Sequence, residues 1–208
     1  MNIALLGGTG RTGRLILDLA LESGHSLQLL ARSPEKVDKR SPALTVVQGQ
    51  ITDNAAVTQV LTGADVVVSA LGPVKGGSKT VMTDAAAQLL ELMPRAGVRR
   101  LITLTGAGVP HSGDQPKPVD HLFRTLLKVL QADVLRDSVA HADRIRASSL
   151  DWTIVRAPML QGGPAAPIKS GPVGQTGPRV TRASVAAFML DAAETGKFIR
   201  QAPAVSNG

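Results

Sequence analysis

The chain has 208 residues, of which 43% are hydrophobic and 2% aromatic, with no cysteine, no tyrosine and a formal net charge of +7. This length fits one domain with a sizeable core, and the composition excludes disorder, disulfides, cysteine-ligated metal and thiol catalysis. No apolar run reaches the roughly 20 residues of a membrane span, and a chain that opens directly on a strand lacks secretory-leader architecture, so a cytoplasmic protein is expected. The basic residues are scattered, as in Lys36, Lys39 and Arg40 or Arg95, Arg99 and Arg100. Few aromatics are present to stack bases. The charge therefore reads as solvated helix faces with an attraction for phosphorylated ligands, not as a nucleic-acid surface.

The first element is an apolar strand, Ile3 to Leu6, which enters the turn Gly7-Gly-Thr-Gly-Arg-Thr-Gly13. A helical pattern, Leu15, Ile16, Leu19 and Ala20, follows at once. Glycines between a strand and a helix let a pyrophosphate approach the backbone, and the helix N-terminus then faces the phosphates. An ordinary glycine-rich turn is the competing reading. The next elements are a strand at Ser26–Ala31, a short helix near Glu35–Val37, a strand at Leu44–Gln48 and a helix at Asn54–Leu61 capped by Asp53 or Asn54. A continuous apolar strand, Asp65–Ser69, has the pattern of a parallel sheet buried on both faces. A helix over Ser78–Ala96 and a strand over Arg99–Leu104 follow. Val119–Ser148 reads as a long helix, Trp152–Arg156 as the sixth strand and Arg182–Thr195 as the last helix.

This alternation predicts a single Rossmann-like α/β domain over residues 1–208, a doubly wound parallel sheet with helices on both faces. Two stretches rich in Gly, Pro and Ser, 106–120 and 160–179, break the rhythm. Both follow strand ends, where open α/β sheets hold ligands, and they are expected to wall a substrate pocket.

The end of the second strand selects between dinucleotides, because a carboxylate there binds the ribose 2′-hydroxyl of NAD and repels a 2′-phosphate. The sequence there is Leu29-Leu-Ala-Arg32-Ser33, with no carboxylate. A guanidinium suits a phosphate. Arg32 and Ser33, with Arg11 on the same side, therefore point to NADP(H). A solvated strand-end Arg32 is the plainer alternative. Gly49-Gln-Ile-Thr-Asp53 and Ser69-Ala-Leu-Gly72 end the third and fourth strands in register with the glycine turn.

The glycine turn, Arg32-Ser33, Ser69–Gly72, the block Ala147-Ser-Ser-Leu-Asp-Trp-Thr-Ile-Val-Arg-Ala-Pro158 and the segment Gly177–Ala186 resemble the atypical short-chain dehydrogenase/reductases. Within them the chain looks most like the NAD(P)H-binding, NmrA-like group, in its biliverdin reductase B or flavin reductase-like branch. The resemblance covers essentially the whole chain. It implies that Gly7, Thr9, Gly10, Arg11 and Thr12 hold the pyrophosphate, and that Arg32 and Ser33 hold the 2′-phosphate. It also implies that Gln50 and Ile51 flank the adenine, that Ala70, Leu71 and Gly72 line the ribose, and that Leu104, Thr105, Pro158 and Met159 surround the nicotinamide. The departures are equally informative. Gln50 stands where many members have Asp. The Tyr-x-x-x-Lys pair of the wider family would fall near Val134 and Ser138 and is missing. Gly106 and Met159 stand where the flavin-reductase branch carries Ser and His.

Reduction of a ketone requires a matched proton donor. A flavin or quinone ring spreads the incoming charge and takes its proton from solvent, so that the protein mainly orients the reactants. The expected function is therefore an NADPH-dependent reductase of a flavin-like, quinone-like or tetrapyrrole acceptor, with Thr105 as the nearest hydroxyl. The alternative is a non-catalytic NADP(H)-binding redox sensor. His111 and His121 lie in or beside the first long loop and are substrate candidates, whereas His25, His141 and Trp152 read as structural. No spacing suggests a metal site. A small-molecule acceptor, no nucleic acid, no membrane and a monomer are expected.

Overall fold

A computed structural model describes residues 1–74, 76–118 and 131–208. In chain order the elements are β1 (Asn2–Leu6), α1 (Arg11–Glu22), β2 (Ser26–Ala31), a 3-10 turn (Pro34–Lys36), β3 (Leu44–Gln48), α2 (Asn54–Leu61), β4 (Val66–Ser69) and α3 (Val81–Arg95). Then come β5 (Arg100–Gly106), α4 (Ala132–Arg146), β6 (Asp151–Ala157), β7 (Met159–Gln161), β8 (Ile168–Gly171), β9 (Arg179–Thr181), α5 (Arg182–Thr195) and β10 (Ala204–Asn207).

Among the described residues one sheet runs β3-β2-β1-β4-β5-β6-β10-β8, and β7 pairs with β9 in a small separate ribbon. The apolar strands explain the layering. Along β1, Ile3 and Leu5 join one core cluster while Ala4 and Leu6 join the other. Along β4, Val66 and Val68 share the first cluster and Val67 the second. This alternation follows from the two-residue period of a strand, and it requires a helical layer on each face. Helices α1 and α5 cover one face, and α2, α3 and α4 cover the other.

The expected doubly wound sheet is present. The long helix expected over Val119–Ser148 is described only as α4, because 119–130 lie outside the described residues. The stretch 160–179, expected to be loop, contains β8 and parts of β7 and β9. The tail supplies β10, which lies parallel to β6 and antiparallel to β8, so the sheet is mostly rather than wholly parallel. These strands of three or four residues form through pairing with distant segments, and their own composition carries no periodic signal.

The sheet order reverses direction between β1 and β4, which opens a crevice at their carboxyl ends. Among the described residues no helix is long and apolar enough to cross a membrane.

Candidate dinucleotide site

The turn after β1 is tight for reasons internal to the protein. Gly7 adopts φ +78°, and a Cβ placed there would sit 2.8 Å from the carbonyl carbon of Ala70. A Cβ on Gly13 would collide with the Gly7 carbonyl oxygen. Gly10 N–H donates to that same oxygen at 2.9 Å. The glycine turn therefore lies directly against the end of β4 at the crevice. Gly72 is different, since a Cβ there would meet nothing within 4 Å. Nothing among the described residues requires glycine at this position. An open crevice wall without a side chain fits a ligand that approaches the backbone closely.

Helix α1 begins without a side-chain cap, as Gly10 is its N-cap residue. The helices α2, α3 and α5 are capped by side chains. Asp53 accepts from Ala56 N–H on α2, and Thr181 accepts from Ser184 N–H on α5. Asp137 of α4 reaches across to accept from Met82 and Thr83 N–H at 3.0 and 2.9 Å, capping α3 from outside. The first-turn N–H groups of α1 are thus left for an anion. Arg11 at the first position is exposed and Thr12 is buried, while Thr9 is half-buried in the turn.

Arg32 is exposed at the end of β2 and borders a cleft of about 280 Å³ lined by Gln48, Gly49, Gln50, Thr52 and Asp53. Among the described residues it has no hydrogen bond or ion pair. Ser33 is half-buried beside it, and Gln50 is exposed. Ile51 is only 9% exposed and belongs to the core, so its side chain supports the cleft floor from below. Arg14, which no motif in the sequence marks, donates its guanidinium to the carbonyls of Thr9 at 3.2 Å and Lys36 at 3.0 Å. This brace joins the glycine turn to the segment that follows Arg32.

Toward the far end of the crevice, Ala70, Leu71 and Pro158 are half-buried. Leu104 is buried in the core at the end of β5. Met159 and Val74 are exposed apolar side chains, at 49% and 51%. Thr105 is 5% exposed, and among the described residues its Oγ1 has no hydrogen-bond partner. A buried hydroxyl without a partner costs about 1–3 kcal/mol, which makes it a functional candidate.

The positions where a Tyr/Lys pair would stand hold half-buried Val134 and buried Ser138. Ser138 Oγ donates to Met82 Sδ at 3.6 Å. His141 is buried on the same helix, bridging the Met82 carbonyl at 2.8 Å and Thr103 Oγ1 at 2.9 Å. A carbonyl only accepts, so Nδ1 carries the proton and neutral Nε2 accepts from Thr103. Burial holds its pKa below the usual histidine value. His141 is thus a satisfied core residue, and the half-buried His25 is satisfied by Glu194 at 2.7 Å.

The ends of β5 and β6 are built around Arg156, a charge inside an apolar strand. It is 1% exposed. Its guanidinium donates to both carboxylate oxygens of Asp114 at 2.6 and 2.8 Å, and to the carbonyls of Ala202 and Val109. Asp114 also accepts from His111 N–H at 2.9 Å and Val173 N–H at 3.0 Å. Burial alone would raise the Asp114 pKa, but the bonds from Arg156 and the two N–H groups outweigh it and hold the carboxyl below its ordinary range. The two long segments after β5 and β6 are therefore tied to one carboxylate. His111 is half-buried there, its pKa lowered by burial and then by Arg146 and Arg156. His121 lies outside the described residues. Among the described residues no cluster of side chains could hold a metal ion.

Residues 7–195 match the family model described as NAD(P)H-binding. The chain belongs to this NAD(P)H-binding family. Among curated proteins, it is 30% identical over 155 residues to the (4-alkanoyl-5-oxo-2,5-dihydrofuran-3-yl)methyl phosphate reductase of Streptomyces griseus, a match covering 74% of this chain and 46% of that protein. It is 29% identical over 170 residues to the oxidoreductase stcQ of Emericella nidulans, covering 72% of this chain and 60% of that one. The chain thus spans about half the length of the curated relatives it matches. Among solved structures, the anaerobillin reductase ChuY of Escherichia coli O157:H7 superposes with TM-score 0.83 at 20% identity, covering 100% of this chain and 97% of that one. A short-chain dehydrogenase/reductase of Veillonella parvula, solved in complex with NADP, gives TM-score 0.80 at 23% identity, covering 99% and 94%. At these identities the structures share the fold, and the family model carries the membership.

Proposed function

We propose that this member of the NAD(P)H-binding family is an NADPH-dependent reductase that passes hydride to a flavin-like, quinone-like or tetrapyrrole acceptor. The observation that carries the reading is Thr105, a buried hydroxyl without a partner at the carboxyl end of β5, in a chain with no tyrosine. When bound, the reduced nicotinamide supplies the hydride. The residues of this chain bind and orient. The N–H groups at the start of α1 and Arg11 hold the pyrophosphate, and Arg32 with Ser33 holds the 2′-phosphate. Gln50 and Ile51 border the adenine, and Ala70, Leu71 and Gly72 leave room for the ribose.

Leu104, Pro158 and Met159 wall the nicotinamide end. Thr105 Oγ1 donates one hydrogen bond to the carboxamide or the acceptor. His111 lies on the acceptor side, kept neutral at physiological pH by its surroundings. No side chain is asked for a proton, because a ring that delocalises the charge takes it from solvent. The reductase names of the relatives and of the ChuY structure agree with this reading.

The test mixes the protein with NADPH and free flavin, quinone or biliverdin and follows the nicotinamide absorbance. Turnover with one of these acceptors is expected. Tight NADP binding with no turnover of any of them sinks the reductase and leaves a regulatory redox sensor. Thr105→Val is expected to lower turnover about ten-fold at unchanged NADPH affinity, and to leave stability equal or up to about 1 kcal/mol higher, because an unsatisfied hydroxyl is removed.

A further inference from the structure

The glycine turn has a neighbour that comes from the other end of the chain. Helices α1 and α5 lie side by side on one face of the sheet, sharing Ile16, Leu17 and Ala20 with Val185, Ala186 and Met189 in one core cluster. They run in the same direction. His25, just past the end of α1, contacts Glu194 in the last turn of α5 at 2.7 Å. Their N-termini therefore meet at the crevice, where α1 starts with Arg11 and α5 with Arg182.

This arrangement is electrostatically unfavourable as it stands. Each helix N-terminus carries a partial positive charge, which an acidic first turn would normally offset. Neither first turn contains an acid. Both first positions carry a guanidinium instead, and among the described residues neither Arg11 nor Arg182 has a hydrogen-bond or ion-pair partner. The two charges feel one another. Burial and then the charge of Arg11 hold Arg182 below the ordinary arginine range. The α5 backbone does not need the missing anion, since Thr181 already caps Ser184 N–H at 3.1 Å. The unmet demand is in the side chains. Arg182 is also held in place from behind. Asn207 accepts from Thr181 N–H at 2.7 Å and donates to Ser184 Oγ at 2.9 Å, fixing the start of α5 to the sheet.

We infer that Arg182 is a second pyrophosphate-binding residue, closing over the dinucleotide from α5 opposite Arg11. The inference rests on the NADPH reading of the site and adds a residue that the glycine motif does not contain. A pyrophosphate brings the two negative charges that two helix N-termini and two guanidinium groups lack. Because NADPH and NADH share that pyrophosphate, Arg182 serves both, whereas Arg32 serves only the 2′-phosphate.

The experiment is calorimetric titration of NADPH and NADH into wild type, Arg182→Met and Arg182→Lys, with thermal unfolding of each free protein. Arg182→Met is expected to weaken both dinucleotides about ten-fold, the equivalent of one charge-assisted hydrogen bond. The ratio of the two affinities stays constant, and the Tm of the free protein stays equal or rises because a repulsion is removed. Arg182→Lys retains part of both affinities, and added salt narrows the gap between wild type and Arg182→Met. Unchanged affinities overturn the assignment. Selective loss of NADPH overturns it by moving Arg182 to the 2′-phosphate, and a lower Tm in the free Arg182→Met protein overturns it by making the residue structural. A wild type that binds neither dinucleotide overturns instead the NADPH reading beneath it.

Discussion

Arg32 and Arg156 both belong to the carboxyl-terminal edge of the sheet, and their surroundings are opposite. Arg156 is buried, bidentate to Asp114 and bonded to two carbonyls. Arg32 is exposed over a cleft and has no partner among the described residues. A guanidinium with four of its five N–H donors used within the protein shapes the site. One whose donors are open is available to a ligand. The same contrast separates Arg14, committed to the carbonyls of Thr9 and Lys36, from Arg11 and Arg182. The end of the crevice at β1 and β2 is thus a region of unmet positive charge, and the end at β5 and β6 a region of charge already matched.

The strongest way to break this comparison is to remove the matched charge. Arg156→Met should destabilise the protein by about 3–5 kcal/mol, because the half-buried Asp114 loses its guanidinium partner. Urea unfolding measures it, and a loss near zero would show that the pair is not a structural one. The unmatched charge should behave otherwise. Arg32→Asp is expected to change stability by less than about 0.5 kcal/mol, yet to weaken NADP on the order of 100-fold while NAD changes little. Equal loss of both dinucleotides in a binding titration would refute the phosphate role.

The smallest effect concerns protons. His141 and His111 have folded pKa values below their ordinary value of 6.5. A depressed folded pKa means that protonation favours the unfolded chain, so stability is full above that range and is lost as the pH falls through it. A decline on the order of 1 kcal/mol between about pH 7.5 and 5.5 is expected, and His141→Gln should flatten part of it. Asp114, also depressed, yields only further into acid. Flat stability over the histidine range in wild type would contradict the buried, neutral assignment.

Much of this architecture is legible in the residues themselves. The bounds of β2, β3, α2 and α5 coincide with the apolar patterns, because each is a local run between turn residues. Arg32 stands out locally as a strand-end guanidinium with no adjacent carboxylate in sequence, and it lies exposed beside a cleft. The clamp was not. Asp114 and Arg156 are 42 residues apart, and nothing local in either marks the other, although a charge inside Trp152-Thr-Ile-Val-Arg156 was a visible anomaly. Arg182 was hidden for the same reason, since its importance depends on which helix packs beside α1. The short strands β7 to β10 owe their form to distant partners, so a Pro- and Gly-rich segment read as plain loop.

The single carboxylate that receives His111 N–H, Val173 N–H and the Arg156 guanidinium also governs how change spreads across the proposed acceptor side. Two segments moored at one point do not vary independently. Substitutions in 106–118 and in 160–179 that strain the mooring should show coupled rather than additive energies, even where the altered side chains never touch. A search for new acceptor specificity on this scaffold would then progress faster by altering both segments together than by perfecting either alone.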